Sequence, residues 1–327
     1  MKILAVDDDP IVLELLSHFV EQLTDHKLLT ANDAEEAVDL IRENARAPFD
    51  CFLLDIQMPG TDGIMLTKKI RNMDAHLDTP VLMLTAMSEK SYIDAAFAAG
   101  ATDYLTKPFE VAELKARLGL VERAVDANTA RTGKVFATQA LGSPGKKVSA
   151  PTHLHEPQPI YDVDGLIEFQ AFENYINQLS RNEMFGSTAF AFSIREIEIF
   201  HSDLSGFEFY SLLSDVAEVI SDTLTGCQFL MSYAGNGTFV CITESGWRPE
   251  PKLLANSVNL HLSQTELFNN QGQRIEPRIC GGSAERLIWR TNSSVMEAIS
   301  AAHASAEDAV AAYTRTQNNF WQVGKLA

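Results

Sequence analysis

Five times over its first 122 residues the chain repeats one pattern, a short apolar run, a turn, and a helical spacing of apolar residues. The runs at Lys2–Val6, Lys27–Thr30, 50–55, Pro80–Thr85 and Asp103–Thr106 are too short for helices. The run Cys51 to Leu54 is uniformly apolar, as a strand buried on both faces of a parallel sheet is. Helical patterns follow each: Ile11 to Val20, Ala34 to Asn44, Gly63 to Met73, Glu89 to Ala99, and from Phe109 onward. Such alternation predicts an α/β unit, a doubly wound five-stranded parallel sheet with right-handed crossovers and helices on both faces. In an open sheet of this kind ligands gather where strands give way to loops, so the residues that end the runs are the candidates for chemistry.

Those ends carry reactive side chains. The first run ends in Asp7-Asp8-Asp9-Pro10, the third in Asp55 ahead of Gln57-Met58-Pro59-Gly60, the fourth in Thr85, and the fifth leads into Lys107-Pro108. Capping the next helix or favouring its dipole would occupy one aspartate. Three adjacent carboxylates repel one another unless a cation shares them, and a hard divalent ion such as magnesium takes one or two carboxylates together with oxygens from elsewhere.

With Asp7-Asp8, the segment 54–63 around Asp55 (Leu-Asp-Ile-Gln-Met-Pro-Gly-Thr-Asp-Gly), Thr85-Ala86 and Lys107-Pro108-Phe109 all at matching strand ends, residues 1–122 resemble the receiver domain of two-component response regulators. The resemblance implies that Asp55 accepts a phosphoryl group from a histidine kinase or a phosphotransfer protein. It implies that Asp7, Asp8 and Asp55 hold magnesium together with the backbone carbonyl of Gln57. Lys107 would pair with a phosphoryl oxygen, Thr85 would hydrogen-bond another, and Tyr104 matches the aromatic residue that turns inward as that threonine moves. Lys107-Pro108 would be cis, and Gln57 and Met87 resemble positions that tune phosphoryl lifetime.

At 46% hydrophobic and 21% charged residues the composition is that of a globular protein, and the net charge of −18 argues against a nucleic-acid surface. No DNA-binding output domain is expected. The single short apolar run at the N-terminus, followed by acids, reads as neither signal peptide nor membrane span, so a soluble, cytoplasmic protein is expected. Four cysteines without paired spacing read as buried free thiols.

Residues 123–160 are expected to begin as a prolongation of the last helix, able to transmit motion or pair with a second copy, and to continue as a flexible tether rich in Pro, Gly, Ser and Lys. His153 and His155, without a third ligand nearby, read as solvated tether. Beyond them, residues 161–327 mix helical patterns (Leu166–Leu179, Tyr210–Thr223, Leu253–Leu262, Val295–Tyr313) with strands at Ala189–Ile194 and up to 282, and a hairpin from Phe229 to Ile242 about an Asn-Gly turn. This α+β layout with a mixed sheet resembles the GGDEF domain of diguanylate cyclases. Gly165-Leu166 and Phe172 match its opening helix, Glu196-Ile197-Glu198-Ile199-Phe200 its acidic segment, Gly235-Asn236-Gly237-Thr238-Phe239 its signature, and Ala306 to Asn319 its closing helix.

The departures decide what the resemblance implies. Gly237 and Thr238 replace the two signature acids, the segment after Phe200 lacks the guanine-contacting asparagine, Tyr210-Ser211 stands for a Gly-Asp pair, and the inhibitory motif is absent from Gly226 to Phe229. The expectation is a response regulator whose output module is catalytically silent and binds a protein partner or itself. A working or nucleotide-sensing cyclase is the alternative.

Overall fold

The structure, a computed structural model, describes residues 1–86, 90–123, 125, 153–178, 186–244, 246–269, 271–287 and 292–324. It divides into two compact units, Met1–Val148 and Ser149–Ala327.

In the first unit, β1 (Lys2–Val6), β2 (Lys27–Ala31), β3 (Cys51–Asp55), β4 (Val81–Thr85) and β5 (Asp103–Thr106) form one sheet in the order β2-β1-β3-β4-β5. All four pairings are parallel, as the alternation predicts. The helices are α1 (Pro10–Leu23), α2 (Ala34–Glu43), α3 (Gly63–Arg71), α4 (Lys90–Ala98) and α5 (111–123). Both faces of the sheet are buried, which is why the strand sequences are apolar without alternation. Ile3, Ala5, Cys51, Leu53, Leu82 and Leu84 pack with Leu13, Leu16 and Val20 of α1 and Leu114, Leu118 and Val121 of α5. Phe52 and Met83 face the other way, where the Thr67 hydroxyl of α3 meets the Met83 sulfur at 3.9 Å.

Three of the helix starts are fixed by side chains the sequence supplies. Asp9 accepts from the Ile11 amide to cap α1, whose first residue is Pro10. Asp33 caps α2 by accepting from Glu35 and Glu36, and Asp62 caps α3 by accepting from Met65. The α5 pattern continues to Val125, which packs against the core, and the rest of the expected prolongation and most of the tether lie outside the described residues.

The second unit is built on an antiparallel sheet, β11 (Ile279–Gly281), β6 (Thr188–Ile194), β8 (Thr238–Thr243) and β7 (Phe229–Tyr233) in that order, with β12 (Glu285–Arg286) pairing β6 as well. The Leu166–Met231 bridge is parallel, so the pairing is mixed. Its helices are α6 (Phe169–Gln178), α7 (Ile197–Asp203), α8 (Gly206–Leu224), α9 (Pro251–Gln264) and α10 (Asn292–Gly324), and a two-residue pair, β9 (Leu267–Phe268) with β10 (Arg274–Ile275), stands apart. One face of the sheet is large and apolar. Phe190, Phe192, Ile194, Met231, Phe239 and Cys241 pack there with Leu212, Leu213, Val216 and Ile220 of α8 and Ala255, Val258 and Leu262 of α9. The opposite face carries small residues, Ala189, Ala191, Ser193, Ser232 and Thr238, all buried. The small face allows α10, with buried Ala298, Ala302 and Ala306, to lie close. A Cβ on Gly282 would come within 2.6 Å of the Ala306 amide nitrogen.

Three expectations need correction. Helix α6 begins at Phe169 and not Leu166, because Ile167 donates its amide to Met231 and Leu166 is spent on the bridge to β7. Helix α8 begins at Gly206, four residues early, since Ser205 and Glu208 form a reciprocal cap. Residues 153–160 are not a free tether: the Leu154 carbonyl accepts from the Asn236 amide at 2.6 Å, and Ile160 is only 5% exposed within the core of the second unit. His155 accordingly lies against the hairpin. Of the cysteines, Cys51 and Cys241 are buried and Cys227 and Cys280 half-buried, all four free. No helix of the described residues is long and apolar enough to cross a membrane.

Candidate functional site

At the carboxyl rim of the first unit two of the strand-end carboxylates converge on one ammonium. Lys107 Nζ lies 2.6 Å from Asp7 Oδ2 and 2.6 Å from Asp55 Oδ1. Carboxylate oxygens of Asp7, Asp8 and Asp55 lie within 4.8 Å of one another. Asp7 and Asp55 are buried, at 1% and 4% exposure, while Asp8 is open to solvent. The capping duty that could have occupied this acidic run falls to Asp9, whose amide in turn donates to Asp7 Oδ1 at 3.1 Å. Asp7 and Asp8 are thereby left to face the rim.

The charges do not balance. Three carboxylates against one ammonium leave two negative charges in a partly buried cleft, and each pair at about 5 Å repels by about 3 kcal/mol at an effective dielectric near 20. Burial pushes the Asp55 carboxyl above its ordinary value; the hydrogen bond and charge of Lys107 pull it back, and Asp7 and Asp8 push it up again. Burial also works against the Lys107 ammonium, but its contacts with Asp55 and Asp7 outweigh that and hold it above its ordinary value. An all-oxygen, over-negative cluster with one open carboxylate is the donor set a hard divalent cation prefers, so the residues present fit magnesium.

The backbone keeps Asp55 in place from beneath. The Ile56 amide donates to the Leu84 carbonyl at 3.0 Å and the Gly63 amide to the Ile56 carbonyl at 3.0 Å. A Cβ on Gly63 would collide with the Asp55 carbonyl oxygen, so the first residue of α3 must be glycine for β3 and α3 to meet this closely. Gly60 turns the intervening loop with φ of 82°. The sequence reading did not single out Gly63, although a glycine just after a capping aspartate at the foot of the candidate site was the available signal.

The remaining predicted residues take up positions around this centre. Thr85 ends β4, fully buried, and its carbonyl accepts the Lys107 amide at 2.6 Å. The Lys107–Pro108 peptide is cis. Tyr104 on β5 is buried at 7% exposure, its ring edge-on to Phe97 with centroids 6.2 Å apart. Gln57 is exposed in the loop two residues after Asp55. Met87 lies outside the described residues.

The residues singled out in the second unit form no comparable centre. Gly237 has φ of 71° and sits against Ile197, whose side chain a Cβ would meet at 2.7 Å. Thr238 is fully buried and donates its hydroxyl to Ser193 at 3.0 Å. Glu196 adopts a left-handed backbone, φ 56°, at the start of α7. Among the described residues the only cluster of acids, histidines or cysteines close enough to hold a metal is Asp7, Asp8 and Asp55.

Comparison with known proteins agrees with this division. Residues 3–119 match the family model of the response regulator receiver domain. Over 156 residues the chain is 35% identical to the transcriptional regulatory protein ResD of Bacillus subtilis, spanning 46% of this chain and 62% of that protein. Over 128 residues it is 37% identical to the DNA-binding dual master transcriptional regulator RpaA of Synechocystis, spanning 38% of this chain and 50% of that one. The chemotaxis protein CheY4 of Vibrio cholerae is 32% identical, covers 37% of this chain and 97% of its own, and has a TM-score of 0.34. The chain thus spans about half the length of these two curated relatives.

Proposed function

Residues 3–119 being a response regulator receiver domain of two-component signalling, we propose that Asp55 is its phosphoacceptor and that the second unit is a catalytically silent, GGDEF-like output module. The observation that carries the first part is the Lys107 ammonium held 2.6 Å from both Asp7 and Asp55 at the rim. In phosphoryl transfer the protein contributes position and charge more than covalent chemistry. The Asp55 oxygen that Lys107 does not hold attacks phosphorus in line, the bond from phosphorus to the donor breaks, and an acyl phosphate forms. The donor is a phosphohistidine of a kinase or phosphotransfer protein, or a small phosphodonor. Asp7, Asp8 and Asp55, with the Gln57 carbonyl, would hold a magnesium ion, which would supply positive charge against the incoming anion. Lys107 then moves from carboxylate to phosphoryl oxygen, Thr85 donates its hydroxyl to another, and Tyr104 follows Thr85 inward.

The silent reading of the second unit is supported by what fills the hairpin tip. Gly237 has no room for a side chain beside Ile197, and Thr238 is buried against Ser193, so neither position presents a carboxylate. An output of this kind acts by binding, to a protein partner or to a second copy.

The test is phosphoryl uptake by the full-length protein from a small phosphodonor, read by intact mass. Wild type takes up one phosphoryl group only with magnesium present, and Asp55→Asn takes up none. Equal labelling of the Asn variant would make the acceptor another residue.

A further inference from the structure

We propose that residues 153–161 are a releasable strap that covers the tip of the β7–β8 hairpin and keeps it from other contacts. The strap runs tightly against the turn. Its Leu154 carbonyl accepts the Asn236 amide at 2.6 Å, and a Cβ on Gly235 would lie 2.6 Å from the His155 carbonyl oxygen. Leu154 packs on the edge of the core, Ile160 is buried in it, and the Tyr161 amide donates to the Tyr210 hydroxyl at 3.3 Å. The Gln158 side chain lies beside the Tyr233 hydroxyl, which accepts the Gly237 amide at 3.0 Å and which burial pushes up to about 12. From the other side α10 holds the same turn, Asn236 Nδ2 donating to Glu307 Oε1 at 2.6 Å.

What marks this seam as releasable is its hydrogen bonding. Buried polar groups in a settled interface find partners. Among the buried side-chain atoms of the described residues that have none, Tyr161 Oη belongs to the strap and Asn236 Oδ1 to the turn beneath it. Each orphan costs about 1–3 kcal/mol relative to a state in which water reaches it. These two orphans lie where the strap meets the hairpin, while the sheet behind is held by continuous β6–β8 and β7–β8 ladders, so the strap can open by itself and leave the sheet intact. Opening frees the Asn236 amide and the apolar spot under Leu154 at once, and gives the tip a donor and a greasy contact for a partner.

The inference does not depend on the chemistry of Asp55, so its test uses full-length protein as isolated. Native-state hydrogen exchange by NMR reads the Asn236 amide, whose acceptor is the strap, against the Val240 amide in the ladder of β8. In wild type Asn236 exchanges at least tenfold faster than Val240. Leu154→Ala speeds Asn236 a further tenfold or so and leaves Val240 unchanged. Tyr161→Phe, which keeps the ring and removes the orphaned hydroxyl, slows Asn236 severalfold. Asn236 exchanging within threefold of Val240 in wild type, no selective acceleration in Leu154→Ala, or no slowing in Tyr161→Phe would each overturn the strap.

Discussion

Asp55 and Lys107 sit where burial and charge conflict, and the conflict has a measurable pH signature. A carboxyl whose folded value is raised binds its proton more tightly in the folded chain than in the unfolded one. Its contribution to stability is therefore present below the ordinary carboxylate value and lost as pH rises through the folded one. Ionised Asp55 is a net burden at neutral pH, and Asp55→Asn is expected to melt higher than wild type at pH 7 in the absence of magnesium, with the gain vanishing at acid pH. The same shift sets the acid limit of phosphoryl uptake. Uptake needs the carboxylate, so it should fail at a pH above the ordinary aspartate value, and Lys107→Met, which removes the groups pulling Asp55 down, should move that limit higher still. A pH profile of labelling in the two proteins checks both. His76 acts in the opposite sense. It is 2% exposed, packed edge-on against Phe52, and burial followed by the Arg71 charge holds it below its ordinary value. A base with a depressed value contributes stability that is present above the unfolded value, near 6.5, and lost as pH falls. The melting temperature should drop between pH 7.5 and pH 5, and less so in His76→Gln.

At the scale of elements, what the sequence announced and what it hid differ for a physical reason. β1, β3 and β4 were legible because they are buried on both faces, and a mostly apolar run of five residues between turn signals has few other places to go, while the edge strands β2 and β5 were legible from the alternation around them. The β7–β8 hairpin was legible from its turn residues, and its tip bears this out, since Gly235, Asn236 and Gly237 all take positive φ. Helix α7 was hidden because Ile197–Asp203 is only about two turns, too short for a period to show. The strap was hidden because its prolines and histidines carry the composition of a linker, while only Leu154 and Ile160 carry the packing. Close approaches of backbone are hidden as a class, because they are written in what is missing from a side chain. Two of them can be tested directly. Gly63→Ala puts a methyl into the Asp55 carbonyl, and Gly282→Ala puts one into the backbone of α10 at Ala306. Overpacking of this kind costs about 1–3 kcal/mol, so both variants should lose that much in denaturant unfolding. Only Gly63→Ala should also slow phosphoryl uptake, because only it moves the nucleophile.

For the whole molecule, the acidic balance of −18 and the resemblance of the second half to a nucleotide cyclase pull the functional reading in different directions. Clustered acids are what a cyclase needs at its metal site, yet the acids of this chain are not where a triphosphate would need them. The hairpin tip presents Gly237, pressed on Ile197, and Thr238, turned inward to Ser193, and the chain's own strap covers the turn beside them. Glu196 and Glu198 remain as acids in that part of the sequence, but no further carboxylate gathers with them to hold a metal among the described residues. Cyclisation of GTP requires charge to be drawn from the triphosphate and a ribose hydroxyl to be activated. Losing the metal-binding groups removes several kcal/mol of transition-state stabilisation, roughly a thousandfold or more in rate. Full-length protein incubated with GTP and either magnesium or manganese, with the first unit activated by a beryllofluoride phosphate mimic, is therefore expected to yield no cyclic di-GMP by chromatography. Leu154→Ala is expected to yield none either, because an opened strap uncovers a turn that still has no acids on it. Product from wild type that disappears in Glu196→Ala would establish an unconventional cyclase. Product only from the opened variant would mean that the strap, and not the missing carboxylates, keeps the second unit silent.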